Sequence, residues 1–324
     1  MPTLPTLVLI PGSWHKPSCY DKIVKILSDK YSLKCVLVSL ASTNGDPNAT
    51  FKDDIDNAQA AILAETSVGH DVVVVAHSYG GMVGNSVIKD LAKPKSPSRR
   101  DTDGVATDSG HVIGLILIAS GFTLTGLSFM DPFFGVPPPS WRVNKETGFA
   151  ELVTPPRELF YHDLPENEAS YWVSQLTPQS LRVLFEGGEH AYAGWRDVPV
   201  YYIGTVEDQG LPVVMQRMQV PMARAMGASV VHRELESSHS PFLSMPVETA
   251  DIIVEAVDKF SGQGMVNVKR DNANKTTEKR VFAPAVLLSR PRTWFKYGLP
   301  GIFGRIIGGA LLLFEKARVL FRGK

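Results

Sequence analysis

Cysteine is scarce in this sequence, with only Cys19 and Cys35 in 324 residues. Two cysteines close at most one bridge, so a disulfide-stapled framework is excluded. Net charge is missing too: 33 Lys and Arg stand against 33 Asp and Glu. A chain balanced in this way advertises no nucleic-acid partner. No G-x-G-x-x-G and no P-loop occurs, which argues against a nucleotide cofactor. No H-E-x-x-H occurs, and no Cys/His pair has zinc spacing. His162-Asp163 and Glu189-His190 bring ligand-type side chains together without such a frame, so neither a metal nor another cofactor is expected. The opening "MPTLPTLVLIPG" lacks the basic and long apolar regions of a signal peptide, so an intracellular, cytoplasmic location is the default expectation. No internal repeat is visible, and nothing speaks to oligomeric state.

What is present suits a globular chain: 44% hydrophobic and 20% charged residues, ample for a core. The charge balance is uneven along the chain. Residues 1–264 hold 20 Lys and Arg against 30 Asp and Glu, and residues 265–324 hold 13 against 3. An acidic body carries a basic tail.

Strand-like runs alternate with helical patterns. "TLVLI" (6–10), "KCVLVSL" (34–40), the valine run at 72–76, "VIGLILIAS" (112–120), "VPVYYIG" (198–204) and "SVVHREL" (229–235) read as strands. Helical spacing falls around 20–30, 52–66, 80–92, 212–226 and 245–260. This alternation predicts an α/β protein, a mainly parallel sheet flanked by helices. "KPKSPSRRDTDGVATDSG" (93–110) reads as a surface loop. Residues 123–197 show no clear strand and supply enough chain for an inserted, mostly helical cap. The expected division is therefore a core of 1–122 and 198–262, a cap of 123–197, a polar linker of 263–281 and a basic apolar tail of 282–324.

"VVVVAHSYGGMVG" (72–84) carries the chemistry. A buried strand runs into a helix, and Ser78 sits at the corner between Ala76 and Gly80, where a nucleophile elbow would sit. A serine hydroxyl is a weak nucleophile and needs a base, a group to orient that base, and donors for an oxyanion. His239, in the polar loop of "ELESSHSPFLSMP", is the candidate base, and Asp208, just past a strand in "YYIGTVEDQGLP", the candidate acid. Taken singly, Ser78 reads more often as a helix cap, Asp208 as an N-cap and His239 as a loop histidine. Together they fall at carboxyl ends of strands in the order Ser, Asp, His, which is what a triad on this architecture requires. The oxyanion donors would be the backbone N–H groups of Tyr79 and, after the first strand, of Ser13. His77 is expected to point away from the hydroxyl, and Glu207 away from Asp208.

These segments resemble the α/β-hydrolase superfamily. More narrowly, "LVLIPGSWH", "VVVVAHSYGG", "YIGTVEDQGLPVVMQ" and "SSHSPFLSMP" resemble the serine hydrolases that include plant methylesterases, plant hydroxynitrile lyases and fungal hydrolases. The resemblance covers residues 5 to about 262 and implies the α/β-hydrolase fold, with Ser78 as nucleophile, Asp208 as acid, His239 as base, and Ser13 and Tyr79 as oxyanion donors. The sequence departs from the pattern at Ala76, where the first glycine of G-x-S-x-G would be, and at Pro11, where a histidine precedes Gly12. It departs again at Ser240, because the lyases resembled carry a lysine there, which argues against cyanohydrin cleavage.

The expected reaction is hydrolysis of a carboxylic ester of a hydrophobic small molecule through an acyl-enzyme. Trp14, Phe129, Trp141, Tyr161 and Trp172 are candidates for the apolar pocket, unless these aromatics are cap core instead. Two alternatives stand beside it: a lyase or ring-opening enzyme of fungal-type polyketide metabolism using the same triad, and a non-catalytic binding module. The tail segment "GLPGIFGRIIGGALLLF" (298–314) is apolar apart from Arg305, with basic residues before and after it. At about 17 residues it stands at the lower limit for crossing a bilayer. Residues 296–324 suit an interfacial helix on an anionic membrane, or else a tail packed on its own body.

Overall fold

The valine run is fully buried, as a strand covered on both faces must be. Alternation then splits it. Val73 and Val75 join Leu7, Leu9, Ile116 and Ile118 in one hydrophobic cluster, and Val72, Val74 and Ala76 join Val8, Ile10, Leu115 and Leu117 in the other. Burial of each valine contributes about 1.5–3 kcal/mol. Two cores on opposite faces of one sheet are the result.

The computed structural model describes residues 4–94, 109–262, 281–287 and 290–322. Its strands are β1 (Thr6–Ile10), β2 (Cys35–Leu37), β3 (Val72–His77), β4 (Val112–Ile118), β5 (Trp141–Asn144), β6 (Phe149–Leu152), β7 (Gln179–Ser180), β8 (Val200–Thr205), β9 (Val230–Leu235) and β10 (Val281–Phe282). Its helices are α1 (Asp21–Tyr31), α2 (Phe51–Thr66), α3 (Gly80–Ser86), α4 (Pro156–Phe160), α5 (Glu166–Ser174), α6 (Arg182–Phe185), α7 (Val213–Ala225), α8 (Pro241–Ser244), α9 (Pro246–Ser261), α10 (Pro291–Thr293) and α11 (Leu299–Arg322). The main sheet has the order β10-β9-β8-β4-β3-β1-β2, parallel except for β10, which pairs antiparallel with β9. Helix starts follow local chemistry: Thr50 caps α2, with Thr50 N–H donating to Asp53 Oδ2 at 2.8 Å and Asp53 N–H to Thr50 Oγ1 at 3.3 Å.

The structure differs from the sequence reading in two places. The segment 123–197 holds α4, α5 and α6 but also a three-stranded antiparallel sheet, β5-β6-β7. Its hairpin turns at Gly148 (φ +75°), and its strands are too short to show a period in the sequence. Second, Val281 belongs to β10 rather than to the linker, of which residues 263–280 lie outside the described residues. Residues 95–108 of the expected loop lie outside them too. The tail lies on its own body, one of the two arrangements the sequence allowed: α11 packs along α7, and Arg196 reaches Glu315 at 3.0 Å.

Candidate active site

Four loops at the carboxyl ends of β1, β3, β8 and β9 carry Ser13, Ser78, Asp208 and His239. Ser78 lies between β3 and α3 at φ +50°, a left-handed conformation costing an L-residue about 1–2 kcal/mol. The end of β4 braces it: Ser78 N–H donates to Ile118 O at 3.1 Å, and Ser120 Oγ donates to Ser78 O at 2.6 Å. Glycine is obligatory around this corner. A Cβ on Gly80 would stand 2.2 Å from Pro11 O, and one on Gly12 would stand 2.9 Å from the Ser78 Cβ. The same contact brings the Gly12–Ser13 loop against the serine. Among the described residues, neither Ser13 N–H nor Tyr79 N–H is taken by a hydrogen bond. The Tyr79 side chain is anchored below, donating to Asp54 Oδ2 at 2.8 Å.

His239 and Asp208 are buried, whereas Ser78 is half-buried. His239 Nδ1 lies 2.8 and 2.9 Å from the two Asp208 oxygens. A carboxylate only accepts, so Nδ1 carries the proton and Nε2 keeps a lone pair. Asp208 is held by further donors: Gly210 N–H and Leu211 N–H at 2.7 Å on Oδ1, Thr205 Oγ1 at 2.7 Å and Gln216 Nε2 at 3.0 Å on Oδ2. Five donors on one carboxylate hold it in a fixed orientation.

His77 links His239 to the serine loop. Its ring is buried, Nε2–H donates to His239 O at 2.9 Å, and the two rings lie 4.6 Å apart. Burial keeps His77 uncharged by pushing its pKa well below the usual value. Glu207, by contrast with Asp208, is exposed.

The segment 160–163 fastens the cap to both loops. His162 Nε2–H donates to Glu207 O at 2.9 Å, Ser238 N–H to Asp163 Oδ2 at 2.8 Å, and Ser238 Oγ to Phe160 O at 2.9 Å. The Phe160 ring lies 5.7 Å from His239 and 6.0 Å from Trp14. Trp14 edges Trp141 at 6.4 Å, and Phe129 edges Tyr79 at 5.7 Å. Tyr161 serves the loop rather than the pocket: its OH donates to His15 Nε2 at 2.8 Å, and His15 Nδ1–H donates to Ser13 O at 2.7 Å. Burial lowers the His15 pKa to about 4, so the ring is neutral and can accept. Trp172 lies apart, its indole N–H on Glu168 and its ring on Tyr171, beside the Lys22 bridge to α1. A cleft of about 330 Å³ at the cap seam is lined by Ser140, Thr154, Glu158, Leu159, His162 and Gln209, and by none of Ser78, Asp208 and His239.

Gln216, Thr205 and His15 were not singled out in the sequence, and Asp163 stood there only as a ligand-type neighbour of His162. His15, in "GSWH" beside Ser13, and Thr205, three residues before Asp208, offered a local signal, while Asp163 acts across 75 residues of chain. Tyr161→Phe tests the His15 relay, because it strands a buried nitrogen. The expected loss is about 1–3 kcal/mol of stability, read by denaturant unfolding; an unchanged midpoint would refute the relay.

Residues 7–252 match the family model described as Alpha/beta hydrolase family. The chain belongs to the alpha/beta hydrolase family. It is similar to Alpha/beta hydrolase nvfD of Aspergillus novofumigatus (strain IBT 16806), 25% identical over 264 residues, which span 81% of this chain and 98% of that one. It is likewise similar to Methylesterase 17 of Arabidopsis thaliana, 26% identical over 266 residues, 78% of this chain and 91% of that one. In fold it resembles the crystal structure of a pyrethroid hydrolase from Sphingobium faniae JZ-2, with a TM-score of 0.59 at 20% identity, over 80% of this chain and 100% of that one. This alpha/beta hydrolase is an enzyme, and its esterase relatives support ester hydrolysis in general.

Proposed function

We propose that this alpha/beta hydrolase cleaves a carboxylic ester of a hydrophobic small molecule, with Ser78 as nucleophile, His239 as base and Asp208 as its orienting partner. One observation carries the reading. A serine held at φ +50° is closed against Gly12, while its neighbour His77 grips the backbone of a histidine already oriented by a carboxylate. Ser78 Oγ attacks the acyl carbonyl as His239 Nε2 takes its proton, and the imidazolium is stabilised by Asp208. The oxyanion faces the free N–H groups of Ser13 and Tyr79. His239 then protonates the leaving alkoxide, and water, deprotonated by the same nitrogen, releases the acid. Trp14, Phe160 and Phe129 border this corner with apolar surface, which suits an aromatic or aliphatic acyl group better than a sugar or peptide.

A p-nitrophenyl ester series tests the proposal. A burst of nitrophenolate, with an acyl mass on the peptide bearing Ser78 after acid quench, is the expected result. Turnover without any covalent adduct on Ser78 under single-turnover conditions, or no turnover from folded protein, would overturn acyl transfer and favour the lyase or ring-opening chemistry.

A further inference from the structure

The tail helix is built inside out. Gly304 and Gly308 face the body, and a Cβ there would stand 2.1 Å from Met218 O and 2.6 Å from Met222 O. Such small residues let two backbones approach closely. Pro300 is buried on the same side. The large apolar side chains point the other way: Phe295 is 72% exposed, Ile306 62%, Leu313 69% and Phe314 67%, with Leu299, Ile302 and Phe303 about half exposed between them. A soluble helix buries such residues and exposes small or polar ones. A contiguous apolar face of this kind marks an interaction surface.

We propose that this outer face of α11, with Trp294 and Phe295 at its start, docks the enzyme on the headgroup layer of an anionic bilayer. Charge identifies the occupant. Arg290, Arg292, Lys296 and Arg305 are exposed along the face, and no Asp or Glu occurs from residue 290 to 314. The acidic residues are concentrated in the body, so the tail face alone is attracted to lipid phosphate. A second copy of the chain would bring these cations against their own kind. The segment Pro291–Glu315 is long and apolar enough to cross a membrane, but it lies on the surface instead. Its inner face is held by α7, which also supplies Gln216 to Asp208 and Arg217 to a buried ion pair. The two helices run parallel, because successive turns of α11 meet successive turns of α7. Trp294 and Phe295 therefore lie toward the start of α7, where Val214 and Met215 are also exposed and which follows Asp208 directly. The docked edge is thus the edge bearing the candidate active site.

Flotation of the full chain with phosphatidylcholine vesicles, with and without phosphatidylserine, tests the proposal independently of any hydrolytic activity. The protein is expected to float with the anionic vesicles, to be released by high salt, and to be stripped by alkaline carbonate. Phe303→Asp with Ile306→Asp should reduce flotation at least about tenfold without shifting the melting midpoint, since both side chains already face water. Changing Arg292, Lys296 and Arg305 to Gln should weaken binding about fivefold for each charge removed. Protein that stays unbound with both vesicles overturns the proposal. So does resistance to carbonate, which means spanning, or a dimer in light scattering that the aspartate variant dissolves while no flotation occurs.

Discussion

Ser78→Ala should lower kcat for ester hydrolysis by about six orders of magnitude, and adding His239→Ala should cost almost nothing further. The two groups act on one proton, so removing either removes the step. Residual turnover would come from the Ser13 and Tyr79 N–H groups, which the variants leave in place. Asp208→Asn isolates the third partner. Its amide oxygen must face the Gly210 and Leu211 N–H donors, which places the NH₂ toward Gln216, Thr205 and His239 Nδ1. Nδ1 would then have to accept, the proton would move to Nε2, and the base would be lost, at a cost of about 10⁴ in kcat. Steady-state kinetics over the ester series checks all three. Additive losses for Ser78 and His239, or a loss under tenfold for either, would show that the two are not one machine.

How much of this arrangement was legible depended on distance along the chain. The valine run and its glycines announced a strand, a corner and a helix within a dozen residues, and β1 and β8 were equally plain because a doubly covered strand is written in continuous apolar letters, whereas β9, with His232, Arg233 and Glu234, was carried by its place in the alternation of strands and helices. Their boundaries moved by a few residues, and the helix read as 80–92 closes at Ser86, where the chain passes into turns. Ser78, Asp208 and His239 were legible because each stands at the end of such a strand. The β5-β6-β7 sheet was not, since "WRVN" and "FAEL" are short, half-exposed and hold together only by pairing. Phe160 stood in the sequence as one cap aromatic among many, and its place beside His239 follows from Asp163 reaching Ser238, a contact across 75 residues of chain. Phe134 and Tyr171, indistinguishable from it by type, face solvent.

The tail packs beside a buried ion pair, and breaking that pair should have the largest effect on stability. Arg217 of α7 meets Glu234 of β9 through two bonds of 2.8 and 2.7 Å, with Glu234 wholly buried and the Tyr297 ring 4.5 Å above the guanidinium. Burial opposes the charge on Arg217, yet the Glu234 hydrogen bonds and charge hold its pKa above the usual value. His232, 3.6 Å from Glu234, gives no substitute: burial, then the charges of Arg224, Arg217 and Arg233, lower its pKa to about 3 and leave it neutral. Arg217→Met therefore strands a buried carboxylate and should cost about 3–5 kcal/mol, lowering the melting midpoint by about 10 °C. The double variant Arg217→Met with Glu234→Met should recover most of the loss, because it removes the charge as well as its partner. Calorimetry of both variants decides the matter: equal melting of single and double variants would mean that the pair acts by shape and not by charge.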